Sequence, residues 1–210
     1  MDDMAPEAAM TEHLLERIRA GDREAFDRLF ARHRPYLRKV VALRLPAALR
    51  ARVDPSDVVQ EAQLEAFRRL PDYLRRRPMG LRLWLRKTAC ERLEMARRFH
   101  LGAARRAAGR EAALPEESSL QLARRLLAPG PTPSQQAAGR ERARRVREAV
   151  AGLPEADREV LVLRNLEELS NAEVAELLGI DPAAASRRYG RALLRLREVL
   201  APHGLTGSQG

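Results

Sequence analysis

Asp-Pro stands twice in this chain, at Asp54-Pro55 and at Asp181-Pro182, and each time apolar residues spaced by threes and fours follow. An aspartate can accept the first unpaired N–H groups of a helix, and a proline fits the first helical position because no N–H is needed there. The pair therefore fixes where a helix begins. Apolar residues recur at three and four, not at two, along most of the remaining chain, so the expected fold class is all-α.

The other helix boundaries follow from the same punctuation. A first helix is expected after Thr11, with Leu14, Leu15 and Ile18 on one face and a stop at Gly21. Asp22 then caps a longer helix whose core stripe is Phe26, Leu29, Phe30, Leu37, Val40 and Val41, with Pro35 as a kink. The Asp54 helix should run to about Leu70. A fourth, over roughly 79–99, packs through Leu83, Trp84, Thr88, Leu93 and Met95. These elements make a first domain over 10–101.

Composition then turns to Ala, Gly, Pro, Gln and Ser, and "APGPTPS" at 128–134 cannot continue a helix, since its prolines lack the N–H donor. Residues 102–138 are expected to be a flexible linker, with "SSLQLARRLLA" able to form a short amphipathic helix within it. A second helical domain is expected over 139–201. Val146, Val150 and Leu153, then Val160, Leu161, Leu163 and Leu166, mark two helices separated at Pro154.

Ser170 and Glu173 form a capping-box pattern, Val174, Leu177 and Leu178 follow as an apolar face, and Gly179 supplies a stop. Asp181 caps the next helix only a few residues later. Two helices joined by so short a turn, with small Ala175 at their point of approach, read as a helix-turn-helix. On its second helix Ala185, Tyr189, Ala192, Leu193 and Leu196 share the face to be buried. The opposite face carries Ser186, Arg187, Gly190, Arg191 and Arg197, with Ala183 and Ala184 at its tip and Arg188 on its flank. Methyl groups at the tip permit close approach to a groove, and serine and arginine supply polar contacts to bases and phosphates.

Charge points the same way. The chain of 210 residues carries a net +10, which favours a polyanionic partner over an acidic small substrate. Residues 81–110 hold nine basic side chains (Arg82, Arg86, Lys87, Arg92, Arg97, Arg98, Arg105, Arg106 and Arg110) against Glu91 and Glu94. The single cysteine, Cys90, can form no internal disulfide and belongs to no metal-binding pair, so it reads as a small buried hydrophobe. No catalytic constellation is evident: His13, His33, His100 and His203 are scattered, and no glycine-rich phosphate loop occurs. No cofactor or metal is expected, and the chain is not expected to be an enzyme. With neither a long apolar run nor a signal-peptide pattern, a cytoplasmic location without membrane association is expected.

The segments "AGDREAFDRLFARHRPYLRKVV" (20–41), "DPSDVVQEAQLEAFRRLPDY" (54–73) and "LRLWLRKTACERLEMARR" (81–98) together resemble region two of bacterial RNA polymerase sigma factors. "LPEADREVLVLRNLEELSNAEVAELLGIDPAAASRRYGRALLRLREVL" (153–200) resembles their region four. With no third domain between the two, the chain resembles the extracytoplasmic-function (ECF) type.

That resemblance implies a protein that joins core RNA polymerase and directs it to promoter DNA, reading the minus-ten and minus-thirty-five elements. It places polymerase contact at Asp57, Gln60 and Glu61, whose acidic and amide groups suit an arginine-rich partner surface. Lys87, Arg92, Arg97 and Arg98 would form the track for the opened minus-ten strand. Trp84 is a stacking candidate whose family equivalent packs in the core. Ala183, Ala184, Ser186, Arg187, Arg188 and Arg191 would meet the minus-thirty-five element. Many relatives have Thr-Val-Lys-Ser-Arg where this chain has Ala184-Ala185-Ser186-Arg187-Arg188, so the element it reads should differ from theirs. An anti-sigma factor is a candidate further partner. The rival readings are a free-standing dimeric regulator, which would find its site without polymerase, an enzyme, and a pure scaffold.

Overall fold

A computed structural model describes residues 4–101, 145–146 and 148–201. The chain divides into two compact units, Met1–Ala108 and Gly109–Gly210. Every regular element among the described residues is helical. The expected linker, 102–138, lies outside the described residues.

The first unit contains α1 (Met4–Arg19), α2 (Arg23–Arg44), a 3-10 turn (Ala47–Leu49), α3 (Pro55–Arg76) and α4 (Leu81–Leu101). Helix α1 starts seven residues earlier than Thr11, because the alanine-rich stretch ahead of Thr11 favours helix and Pro6 falls in the first turn, where it is tolerated. It ends where Gly21 takes a φ of +92°. The Gly21 and Asp22 N–H groups bond back to Ile18 and Arg17 carbonyls, closing the helix end. Asp22 turns the chain into α2 by accepting from the Ala25 N–H at 3.0 Å.

Helix α2 continues unbroken through Pro35, and its six expected core residues are all buried. Helix α3 starts at the Asp54 cap, which accepts from the Ser56 N–H at 2.6 Å. It runs six residues past the expected stop at Leu70, straight through Pro71. A mid-helix proline removes a hydrogen bond at a cost of about 3 kcal/mol. Burial of Leu70 and Tyr73 on either side, at about 1.5–3 kcal/mol for a large apolar side chain, offsets it. The Tyr73 ring stacks on Trp84 of α4 with centroids 4.5 Å apart, and its hydroxyl donates to the Met79 carbonyl. Trp84 is thus a core residue. Two packing expectations fail: Met95 is exposed, and Cys90, between buried Ala89 and Leu93, is only half-buried at the edge of the core face.

The second unit has helical residues at 145–146 and 148–152, then α5 (Glu155–Asn165), α6 (Asn171–Leu178) and α7 (Pro182–Leu200). Its apolar interior is made by Val146, Val150, Leu153, Val160, Leu161, Leu163, Leu166, Val174, Ala185, Ala192 and Leu196, all buried. Tyr189 and Leu193 are half-buried at the edge of that face.

Candidate nucleic-acid interface

In the first unit the candidate residues lie on α3 and α4. Asp57, Gln60 and Glu61 fall one turn apart and are all exposed, while Val58, Val59 and Ala62 face the core. Leu64, 58% exposed, continues the same outward face. An apolar side chain left in water amid acidic and amide groups has the composition of a protein-contact surface.

Across from this face, α4 presents its basic residues, and they are not equally available. Lys87 and Arg98 are exposed. Arg92 donates to the Glu61 carboxylate from Nη2 at 2.9 Å and from Nε at 3.3 Å. Arg97 donates to Glu94 at 2.8 Å. A second cross-link joins the helices where Arg69 of α3 donates to Glu91 of α4 at 2.6 Å, with Glu65 pairing Arg69 from within α3. The Glu91 carboxylate raises the Arg69 pKa above its ordinary value, so that guanidinium stays charged at any working pH. Two of the four expected strand-track cations thus spend their charge on neighbouring carboxylates. Trp84, weighed as a stacking ring, packs in the core as its family equivalent does. Phe99, at the end of α4 beside Arg98, is 83% exposed.

In the second unit the helix-turn-helix is built as its punctuation demands. The Ser170 hydroxyl accepts from the Glu173 N–H at 3.2 Å while the Glu173 carboxylate accepts from the Ser170 N–H at 2.8 Å. Gly179 takes a φ of +63°, a left-handed conformation that costs a glycine nothing. The Gly179 and Ile180 N–H groups close the end of α6 by bonding to Glu176 and Ala175. Asp181 then caps α7 by accepting from the Ala184 N–H at 2.7 Å. Asn171, at the start of α6, donates to the Pro182 carbonyl at 2.7 Å, fixing the two helices across the turn.

Helix α7 is held to α5 by contacts at two levels. The Tyr189 hydroxyl donates to Asn165 Oδ1 at 3.2 Å, and the Arg164 guanidinium lies over the Tyr189 ring. One and a half turns on, Arg195 pairs with Asp157, whose carboxylate is buried. With these anchors in place the outward face carries Ala183, Ser186, Arg187 and Arg191 exposed, and Ala184 and Arg188 half-buried. The spacing places all six as expected. Leu194, also outward, was not anticipated.

Sequence reasoning missed Leu64, the Glu61–Arg92 pair, Phe99 and the Asp157–Arg195 anchor. Leu64 was legible, being one turn past Gln60 and Glu61. The two ion pairs join residues 31 and 38 positions apart, and no local pattern announces such a contact. Among the described residues there is no group of three or more His, Cys, Asp or Glu able to hold a metal, and no helix long and apolar enough to cross a membrane.

Residues 143–196 match the family model described as Sigma-70, region 4. The chain is 30% identical over 182 residues to the RNA polymerase sigma factor CnrH of Cupriavidus metallidurans, covering 86% of this chain and 89% of that protein. It is 31% identical over 185 residues to the ECF RNA polymerase sigma factor SigD of Mycobacterium tuberculosis, covering 88% and 81%. A further relative, named as a sigma factor RfaY in Xanthomonas campestris pv. campestris, is 31% identical over 203 residues; the match takes in 96% of this chain but 47% of that longer protein. The solved structure of CnrH in complex with the cytosolic domain of CnrY shares the fold, with a TM-score of 0.53 and 24% identity over 92% of this chain and 98% of that one.

Proposed function

Because the chain belongs to the ECF family of RNA polymerase sigma factors, we propose that it divides promoter recognition between its two units, with the first also docking core polymerase. Asp57, Gln60 and Glu61, extended by Leu64, form the polymerase face of α3. Lys87 and Arg98, joined by Arg92 and Arg97, form the phosphate track of α4 for the opened minus-ten strand, and Phe99 offers it a stacking plane. In the second unit α7 enters the major groove of the minus-thirty-five element. Arg187 and Arg191 take phosphates or guanine edges, Ser186 and Arg188 flank them, and the methyls of Ala183 and Ala184 lie against the base edges.

The observation that carries this reading is the outward face of α7, anchored from behind by Asn165 and Asp157 and furnished in front with arginines. The chain performs no chemistry of its own in this role, needs no cofactor, and works in the cytoplasm where the polymerase is. CnrH was solved with the cytosolic domain of CnrY, and that precedent supports a protein partner for this chain too, an anti-sigma factor that holds it when idle.

The test is run-off transcription on pooled genomic fragments with core RNA polymerase, with and without the protein and with an Arg187→Ala, Arg191→Ala variant. Transcripts should require the protein and weaken with the variant. Site-specific binding without polymerase, and no protein-dependent transcript, would replace this reading with a free-standing regulator.

A further inference from the structure

The Glu61–Arg92 pair joins the two faces of the first unit. Glu61 lies on the outward face of α3 and its side chain is 54% exposed, while that of Arg92 on α4 is only 24% exposed. The carboxylate is the open end of the pair and the guanidinium the covered one. Arg92 spends Nε and Nη2 on Glu61, and its Nη1 lies against Met95 Sδ at 3.3 Å. We infer that Glu61 is a positioning residue for DNA binding: it holds Arg92 neutralised in the free chain and releases it to a DNA phosphate when polymerase takes the carboxylate. This inference rests on the assignment of the α3 face to polymerase.

The physics is partner exchange. A basic group on polymerase that recruits Glu61 leaves Arg92 partly covered and without its anion, and a phosphate oxygen is the replacement of matching charge and bidentate geometry. Exposed ion pairs are weak, so the exchange is cheap in both directions and its effect in the free chain amounts to about twofold to fivefold in affinity. Neighbouring Arg69 does not exchange in this way, since Glu65 and Glu91 both hold it.

The experiment titrates the full chain with a short fluorescein-labelled single-stranded DNA at several salt concentrations, reading anisotropy. The variants are Glu61→Gln, Arg92→Gln, the double variant, and Asp57→Asn as a control of equal charge change on the same face. Glu61→Gln should tighten binding about twofold to fivefold and steepen the slope of log affinity against log salt by about 0.7, the signature of one added phosphate contact on a single strand. Asp57→Asn should leave the slope unchanged, and the Glu61→Gln gain should vanish in the Arg92→Gln background. With core polymerase saturating, wild type and Glu61→Gln should converge. A Glu61→Gln chain that binds no better than wild type, a gain matched by Asp57→Asn, a gain that survives loss of Arg92, or one that persists undiminished with polymerase would each overturn the proposal. Binding to core polymerase is measured separately: if neither Asp57→Asn nor Glu61→Gln weakens it, the polymerase assignment fails, whatever coupling the free chain shows.

Discussion

At the scale of single residues, stability rests on carboxylates placed where the backbone or a guanidinium needs them. The Ala25 N–H, then Arg17, holds the Asp22 carboxyl below its ordinary value of 3.8. The Ser56 N–H does the same for Asp54, and Arg77 lowers Glu12 from 4.5. Depressed folded-state values mean that these groups stabilise the first unit fully above the unfolded values, and that the contribution is lost as pH falls through the lower folded ones. Trp84, the single tryptophan of the chain, reports this unit alone. Its urea-unfolding midpoint should be flat from neutral pH down to about 5 and fall below about pH 4. Asp22→Asn keeps a capping oxygen without the titration, so the difference between its midpoints at neutral and low pH should be smaller; an undiminished difference would rule Asp22 out as a contributor. In the second unit, Asp157 is 4% exposed and paired to Arg195. Arg195→Ala strands a buried carboxylate and should cost about 1–3 kcal/mol, whereas Arg197→Ala, at an exposed position, should stay within about 0.5 kcal/mol. The far-UV circular dichroism transition that Trp84 fluorescence does not share measures both.

At the scale of elements, local chemistry announced itself where it was conventional and stayed silent where it was not. The two Asp-Pro starts, the Ser170–Glu173 box and the glycines at 21 and 179 placed most helix boundaries within a residue or two, because each signal is a hydrogen bond made inside a short window. The end of α3 carries no such mark: Arg77 takes the left-handed φ of +38° without being a glycine. It is tied down by an ion pair to Glu12 of α1 at 2.7 Å, 65 residues away, and that tie cannot be read locally. The expected end at about Leu70 therefore falls six residues short. The candidate site divides the same way: the outward face of α7 and the Arg97–Glu94 pair, three positions apart, follow from helical periodicity, whereas the pairing of Arg92 depends on Glu61, 31 residues away. Two glycines of the helix-turn-helix make a matched test. Neither Gly179 nor Gly190 has an atom within 4 Å of where a Cβ would stand, but only Gly179 has a positive φ. Gly179→Ala should therefore destabilise the second unit by about 1 kcal/mol, and Gly190→Ala, inside α7, should stabilise it by about 0.5–1 kcal/mol. Thermal unfolding of the two variants should move in opposite directions, and shifts of the same sign would contradict the backbone assignment.

At the scale of the whole molecule, the proposed division of promoter recognition leaves each of the two compact units with a modest reading surface. The tip of α7 offers methyl groups, Ala183 and Ala184, and α4 keeps two of its four candidate cations in internal pairs. Weak surfaces joined in one chain bind through effective concentration: once one unit is seated, the other engages as an intramolecular step. On that proposal, the chain discriminates promoters without either unit holding DNA tightly. Supplying residues 1–108 and 109–210 as separate chains keeps each compact unit whole and removes their covalent connection. Run-off transcription from a promoter that needs both elements should then fall by about 10²–10⁴-fold at concentrations where the joined chain is saturating, and it should recover in part as the 109–210 chain is raised in excess. Trp84 fluorescence of the 1–108 chain should meanwhile show the same urea midpoint as in the full protein, because its core is complete within that unit. A shifted midpoint would mean that the first unit draws stability from the second, and undiminished transcription from the separated chains would mean that promoter choice does not depend on their connection.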